Sequence, residues 1–336
     1  MNLKRVLLSF GEGGEETQSF LDKFILKYLG NTFLNSLEDS TPIYLSSRAI
    51  AFTTDSFTVK PLFFKGGDIG KLSVVGTVND LAVMGAKPKF LSLSLIIEEG
   101  FLLEDLEKIL QSIKEEAEKN EVFIVTGDTK VVPRGAADGL FINTSGIGEI
   151  LYPGLSAKNL KPGDLILVSG TLGDHGVCIL AEREDFQMEI NLKSDCASLY
   201  PLLEPLFLKK IELHALRDPT RGGLSGILHE WAKASKVDIL VYEEKIPVKP
   251  QVRTFCEIFG FEPYHLPSEG KVVIALPKES LKDTLKILKS HSLGEEAEII
   301  GEVLSYSQNP KVFLQTPLGT RRLLEQIRGE LLPRIC

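Results

Sequence analysis

The chain has 336 residues, 43% of them hydrophobic and 25% charged, with a formal net charge of −8. That is the composition of a globular protein long enough for two domains of ordinary size, and its acidic balance argues against a general nucleic-acid binder. No apolar run approaches the roughly 18 residues needed to span a bilayer. The short apolar start is ended by Gly11-Glu12-Gly13-Gly14, too early for a secretory signal, so a cytoplasmic location is expected. Cys178, Cys196, Cys256 and Cys336 show no CxxC spacing, which indicates neither a disulfide framework nor a zinc knuckle.

Residues 1–45 read as a lead-in, with a helix carrying Phe20, Phe24, Ile25 and Leu29 on one side. A strand is predicted over 47–54, closing on Thr53-Thr54-Asp55-Ser56-Phe57. The run Lys65-Gly66-Gly67-Asp68-Ile69-Gly70-Lys71-Leu72 suggests a phosphate-binding P-loop. The pattern fails, because Lys65 stands where the first glycine belongs and Leu72 where a Ser or Thr would hold magnesium. Residues 69–84 fit a helix, with Gly85 and Pro88 marking its end. Asp80 is the one charge between Val74 and Ala86. Burying it demands a partner or a cation, unless it lies on a narrow exposed face.

Residues 90–97 alternate as a strand with one apolar face, and 103–119 form an amphipathic helix. The buried strand 122–125 is predicted to run into a glycine turn, Thr126-Gly127-Asp128-Thr129-Lys130, before another strand at 139–147. Pro153-Gly154 and Lys161-Pro162-Gly163-Asp164 mark a domain boundary near residue 155. The second half restarts with a strand at 165–169 and the turn Gly173-Asp174-His175-Gly176. Helices near 174–184, 198–210, 222–231, 249–259, 280–290 and 318–331 alternate with strands near 237–242, 271–276, 298–303 and 311–315, the pattern of a mixed α/β unit.

Asp55, Asp80, Asp128 and Asp218 each sit at a predicted strand end, a glycine turn or an otherwise apolar helix. Carboxylates of this kind suit magnesium, which bridges acids and nucleotide phosphates. The turns at 66–67, 127 and 222–223 are able to present backbone amides to phosphate oxygens. Lys130 lies two residues after Asp128, and Glu269 precedes a strand; for either one alone, an exposed surface charge is the ordinary reading. The chain closes on Pro333-Arg334-Ile335-Cys336. Proline cannot continue a helix, so the tail is expected to leave as a mobile arm ending in a nucleophile. The plain alternative is a stray cysteine at a frayed end.

Taken together, these motifs resemble the hydrogenase maturation factor HypE family. They are Thr53–Phe57, the run from Pro61 to Lys71, Gly76-Thr77-Val78-Asn79-Asp80-Leu81-Ala82, the run from Thr126 to Val132, Gly173–Gly176, the run from Arg217 to Leu224, Glu269-Gly270-Lys271 and the terminal Pro-Arg-Ile-Cys. HypE belongs with aminoimidazole ribonucleotide synthetase and selenophosphate synthetase among ATP-using enzymes. One departure is Phe10, where that family usually has a histidine.

The resemblance implies two mixed α/β domains of the PurM-like type. A lead-in (1–45) precedes an ATP-binding and dimerisation domain (46–155), a second domain (156–325) and a flexible tail (326–336). It implies a homodimer that uses ATP and Mg2+ to dehydrate a carboxamide carried on Cys336 to a thiocyanate. HypF would load the carboxamide, and the HypC–HypD complex would take the cyanide onto the iron of a nickel-iron hydrogenase. On this footing Asp55, Asp80 and Asp218 hold magnesium, and Lys130 and Glu269 join Cys336 in catalysis. The nucleotide contacts are Asp55, Gly66, Gly67, Asp68, Lys71, Asn79, Asp80, Thr126, Gly127, Asp128 and Thr129. A selenophosphate synthetase is disfavoured, since residues 1–30 lack the reactive cysteine of that family. A nucleotide-sensing scaffold whose tail only docks a partner is the non-enzymatic alternative.

Overall fold

The computed structural model describes residues 5–11, 15–36, 41, 43–183, 186, 188–326 and 334–336. The chain first forms α1 (Glu15–Phe20), a π-helical turn over Leu21–Ile25 and α2 (Leu26–Leu29). Their buried side is Phe20, Ile25 and Leu29, as the spacing predicts. Then come β1 (Ile50–Phe57), a small hairpin of β2 (Phe63–Phe64) and β3 (Gly67–Asp68), α3 (Ile69–Val83), β4 (Ala86–Glu98), α4 (Leu103–Lys119), β5 (Phe123–Val132) and β6 (Leu140–Ile150). The large strands form one sheet in the order β1-β6-β4-β5. β4 and β5 run parallel, joined by α4, and the other pairs are antiparallel.

Two expectations are corrected here. β1 continues to Phe57, so Asp55 lies within a strand. Residues Thr126–Lys130 do not turn but continue as β5 beside β4, because each backbone position finds a ladder partner there.

The second half supplies β7 (Leu165–Val168), α5 (Asp174–Ala181), α6 (Tyr200–Leu208), β8 (Ala215–Arg217), α7 (Gly223–Ser235), β9 (Val237–Tyr242), α8 (Pro250–Phe259), β10 (Val273–Leu276), α9 (Leu281–Leu288), β11 (Glu298–Tyr306), β12 (Val312–Gln315) and β13 (Arg321–Leu323). The sheet order is β13-β12-β9-β11-β7-β10-β8. The helix expected over 318–331 is contradicted at its start, where Arg321–Leu323 pairs with β12 as a strand. Residues 327–331 of that expectation, and Glu12, Gly13, Gly14 and Pro333, lie outside the described residues.

β10 reads Val-Ile-Ala-Leu without alternation because both faces are covered. Val273 and Ala275 pack with Leu224, Leu228 and Trp231 of α7. Ile274 and Leu276 join Leu203 and Leu206 of α6 and Leu288 of α9 in a core that continues into the first domain. The helix shared by the two halves is α3, which contacts β1, β6, β4, α4 and α6. A helix walled in on every side is apolar all round. That is why Asp80, its half-buried exception, marks the place where the wall opens.

Candidate active site

Asp55 projects from β1 and Asp80 from the last turn of α3, toward each other across the sheet–helix interface. Thr53 Oγ1 donates to Asp80 Oδ2 at 2.7 Å, and the Asp55 carboxyl lies within hydrogen-bonding reach of Asp80. Asp218 follows β8 and is buried beside both. Burial, and then the charge of Asp80, push Asp55 up to about 6 and Asp218 up to about 7. Carboxylates this close oppose one another's ionisation.

Glu269 completes the crowd. It is 2% exposed, and its Oε1 has no protein partner. Burial, Asp218, Asp195, Asp55 and Asp80 hold its carboxyl well above the ordinary range. Its backbone N–H donates to Asp195 Oδ1 at 3.0 Å. Asp195 is half-buried, its carboxyl pushed up to about 6 chiefly by desolvation, and its Oδ2 is also without a partner. Gly270 lets the two segments meet, since a Cβ there would stand 1.9 Å from Asp195 O.

The tail is docked in this site, contrary to the expected mobile arm. Ile335 is 4% exposed and Cys336 half-buried. Cys336 O accepts from Thr58 N at 3.0 Å and from Thr58 Oγ1 at 3.2 Å, just beyond β1. Arg334 donates from Nε to Thr58 O at 2.8 Å, pairs with Asp138 and lies over the Phe141 ring. The Cys336 thiol feels Glu269 and Asp55 on one side and Arg221 on the other. Burial first, then Glu269, push it up to about 12, so the docked sulfur is a neutral thiol and a poor nucleophile.

The site residues expected from sequence fall into three groups. Asp55, Asp80, Asp218, Glu269 and Cys336 come together as described. Thr126, Gly127, Asp128, Thr129 and Lys130 lie on β5, at the opposite edge of the same sheet. Asp55, Thr144, Leu93 and Gly127 share one row across the four strands. At about 4.8 Å per strand, that separates Asp55 from Gly127 by roughly 14 Å. There the segment lines a cleft of about 300 Å³ with Leu21, Ile25 and Leu29 of the lead-in, and Lys130 Nζ pairs with Asp128 Oδ1 at 3.1 Å.

The third group is committed to the fold. Asp68 caps α3, accepting from Lys71 N at 3.0 Å and from Ser112 Oγ. Asn79 is fully buried. Its amide donates to Ala197 O and Glu269 O at 3.1 Å and accepts from Leu199 N at 2.8 Å, so both its N–H groups go to the second domain. Gly66 adopts a φ of +101°, and a Cβ there would lie 2.9 Å from Ser194 O, so close backbone packing accounts for it. Gly67 pairs with Phe64 in the hairpin, and Lys71 Nζ donates to Gly66 O at 3.1 Å.

Sequence reasoning missed Asp195, Arg221, Lys271 and Ser194. Asp195 and Ser194 sit in a loop without a turn signature; Asp195 joins the site through the Glu269 backbone and Ser194 through His175. Arg221 and Lys271 were legible only as parts of longer motifs.

Among the described residues, no group of three or more His, Cys, Asp or Glu side chains is placed to hold a metal ion by itself. The donor set still fits a hard cation sharing its coordination with phosphate oxygens. Asp55, Asp80 and Asp218 are all oxygen donors, and burial beside one another raises Asp55 and Asp218. Among the described residues, the cations that act on them are Arg221 on Asp55 and Arg217 on Asp218.

Comparison with known proteins agrees with this layout. Residues 38–150 match the AIR synthase related protein N-terminal domain, and residues 161–308 its C-terminal domain. The carbamoyl dehydratase HypE of Escherichia coli is 43% identical, over 99% of this chain and 100% of its own length. A crystal structure of the hydrogenase maturation protein HypE in complex with ATP superposes with a TM-score of 0.93 at 44% identity, covering 98% of this chain and 99% of the other. The HypE chain of a HypE–HypF complex gives 0.80 at 47% identity, covering 92% and 100%.

Proposed function

Because the chain belongs to the HypE family of carbamoyl dehydratases, we propose that it uses ATP to dehydrate a carboxamide carried on Cys336. The observation that carries this reading is the docking of Cys336 against Glu269 and Asp55, inside a cluster of carboxyls with too little positive charge of its own. The amide oxygen attacks the γ-phosphorus and ADP leaves as one N–H proton is lost to give the phosphorylated imidate; the second N–H proton is then lost as the C–O bond breaks, phosphate departs and S–C≡N remains. In sum, S-carboxamide and ATP give S-cyanate, ADP and phosphate.

The chain's own work in this reaction is positioning and proton handling. Thr58 and Arg334 fix the tail, and the burial of Glu269 and Ile335 around the sulfur limits water at an activated imidate. Glu269 accepts the N–H proton through Oε1, its one unpartnered buried oxygen. Asp55, Asp80 and Asp218 would hold magnesium, which supplies charge neutralisation for the triphosphate.

Loading needs a thiolate, whereas the docked sulfur is a thiol, so the tail leaves the pocket to receive its carboxamide. The donor would be HypF, whose complex with a relative of this chain is known. The cyano group would then pass to iron on HypC–HypD.

The cleft beside β5 suits the apolar part of a nucleotide. Thr126–Lys130 lie too far from Cys336 to act within one chain, so a second copy is the natural source. The uncovered sheet face offers the surface for a homodimer: Phe52 is 68% and Ile96 41% exposed. On this reading Lys130 of one copy serves the phosphates bound at the acids of the other.

Intact-mass analysis with ATP, carbamoyl phosphate and HypF tests the reading. The expected record is a carbamoyl adduct on Cys336 that then loses one water. An adduct that persists with ATP hydrolysed overturns it.

A further inference from the structure

The main-chain oxygens of Arg334, Ile335 and Cys336 are each held, but not by the same part of the fold. Arg334 O accepts from Lys60 N at 3.2 Å and Arg183 Nη2 at 2.7 Å. Cys336 O accepts from Thr58. The carbonyl between them, Ile335 O, turns into the second domain and meets His175 Nε2 at 2.8 Å.

His175 is the second residue of α5 and is wholly buried. A carbonyl only accepts, so Nε2 carries the proton. Nδ1 is then the lone pair that accepts the Ser194 hydroxyl at 2.8 Å. The Phe64 ring meets the imidazole edge-on, with centroids 5.5 Å apart. Burial pushes the ring down to about 4, so it remains neutral and keeps this single tautomer at ordinary pH. Ser194 Oγ also accepts from Cys196 N at 3.1 Å. The next residue, Asp195, holds the Glu269 backbone.

One loop therefore braces both the ring that grips the tail and the acid that faces the sulfur. We infer that His175 is a positioning residue, a fixed donor that docks the penultimate carbonyl and so sets the Cys336 sulfur against Glu269. The inference rests on the carbamoyl dehydratase reading only for its chemical consequence. The docking itself is measurable without catalysis.

The test uses the full-length protein with His175→Phe, which keeps a ring beside Phe64 but removes the donor. His175→Gln keeps an N–H near the Nε2 position, and His175→Asn has its N–H drawn back. Alkylation of Cys336 by N-ethylmaleimide is followed by intact mass, with buried Cys178, Cys196 and Cys256 reporting on the fold. The Phe and Asn variants are expected to alkylate at Cys336 at least about tenfold faster, and Gln within about threefold of the parent, the range lost when one buried hydrogen bond goes. Dehydration of a pre-loaded carboxamide should slow about tenfold or more in Phe and Asn and recover in Gln, with carbamoyl loading undiminished in all three.

Parent-like alkylation in both Phe and Asn overturns the inference, whatever the chemistry. If Phe also exposes the buried cysteines, the Gln–Asn contrast decides, and equal rates for those two overturn it. If the parent never dehydrates its carboxamide, the functional reading fails while alkylation still judges the docking.

Discussion

The two edges of the first sheet hold acids in opposite conditions. At the β5 edge, Asp128 and Lys130 pair in solvent, their side chains 59% and 63% exposed. An exposed pair of this kind contributes little to stability. At the β1 edge, Asp55, Asp80, Asp218 and Glu269 have one another and little else. Similar residue types thus read as surface in one place and as a charge trap in the other. What separates them is burial by α3 and by the second domain, not the local motif.

The sharpest way to break this contrast is Asp80→Asn. It removes one charge from the crowded edge while keeping size, and Thr53 Oγ1 can still donate to the amide oxygen. ATP-dependent dehydration should fall at least about a hundredfold, in line with losing a group that organises phosphoryl transfer. Loading of Cys336 should persist, since it happens with the tail out. Equal loss of loading in the mass assay would mean that the fold, not the site, had been damaged.

Lys130→Met probes the other edge. If the two edges meet only across a dimer, this variant should lose about tenfold or more in dehydration. Mixing it with Asp80→Asn should restore activity, because each heterodimer keeps one intact site. Statistical exchange gives about a quarter of the parent rate. Two inactive preparations that stay inactive after verified subunit exchange would place both residues in one chain's site.

The docked tail adds a pH signature. His175 titrates near 4 in the folded protein, against an ordinary value of 6.5, because burial disfavours its charged form. The unfolded chain therefore takes up the proton first as pH falls. The contribution is complete above about 6.5, declines between about 6.5 and 4, and is spent below, a total of about 3 kcal/mol. Denaturant midpoints at pH 7 and pH 5 should differ in that direction, and the difference should shrink in His175→Gln. An unchanged difference would assign the acid sensitivity to the carboxyl cluster.

How far the sequence could be read follows the same division. Helix α4 was legible to the residue, because one apolar stripe and charged flanks leave little choice. The β5 extension was not, because Thr126-Gly127-Asp128 looks like a turn when the neighbouring strand is unknown. Asp80 stood out as the one charge on an apolar helix, and the fold brings it into the carboxyl cluster with Asp55 and Asp218. Asn79, beside it, looked equally functional but spends its amide on three backbone partners from the second domain. Asp195 carried no local signal at all. Which acids are crowded and which are satisfied depends on contacts between segments that are separate in the chain, from Asp55 with Asp80 to Asp195 with Glu269.

Asp68 is the smallest and cleanest test of that rule. By sequence it sits beside two glycines and a lysine, and it resembles a phosphate-loop acid. In the fold it begins α3, takes the Lys71 N–H and the Ser112 hydroxyl, and is 8% exposed. Burial raises its carboxyl, while those two hydrogen bonds pull it back. An acid with partners of this kind supports a helix and does not wait for a cation. Asp68→Ala should cost about 1–2 kcal/mol, the usual range for a lost N-cap with a second acceptor role, measured by chemical denaturation. ATP affinity by calorimetry should stay within about twofold, since no nucleotide contact is removed. A large loss of affinity at unchanged stability would move Asp68 from the satisfied acids to the waiting ones, and partnership would then fail as the criterion for telling them apart.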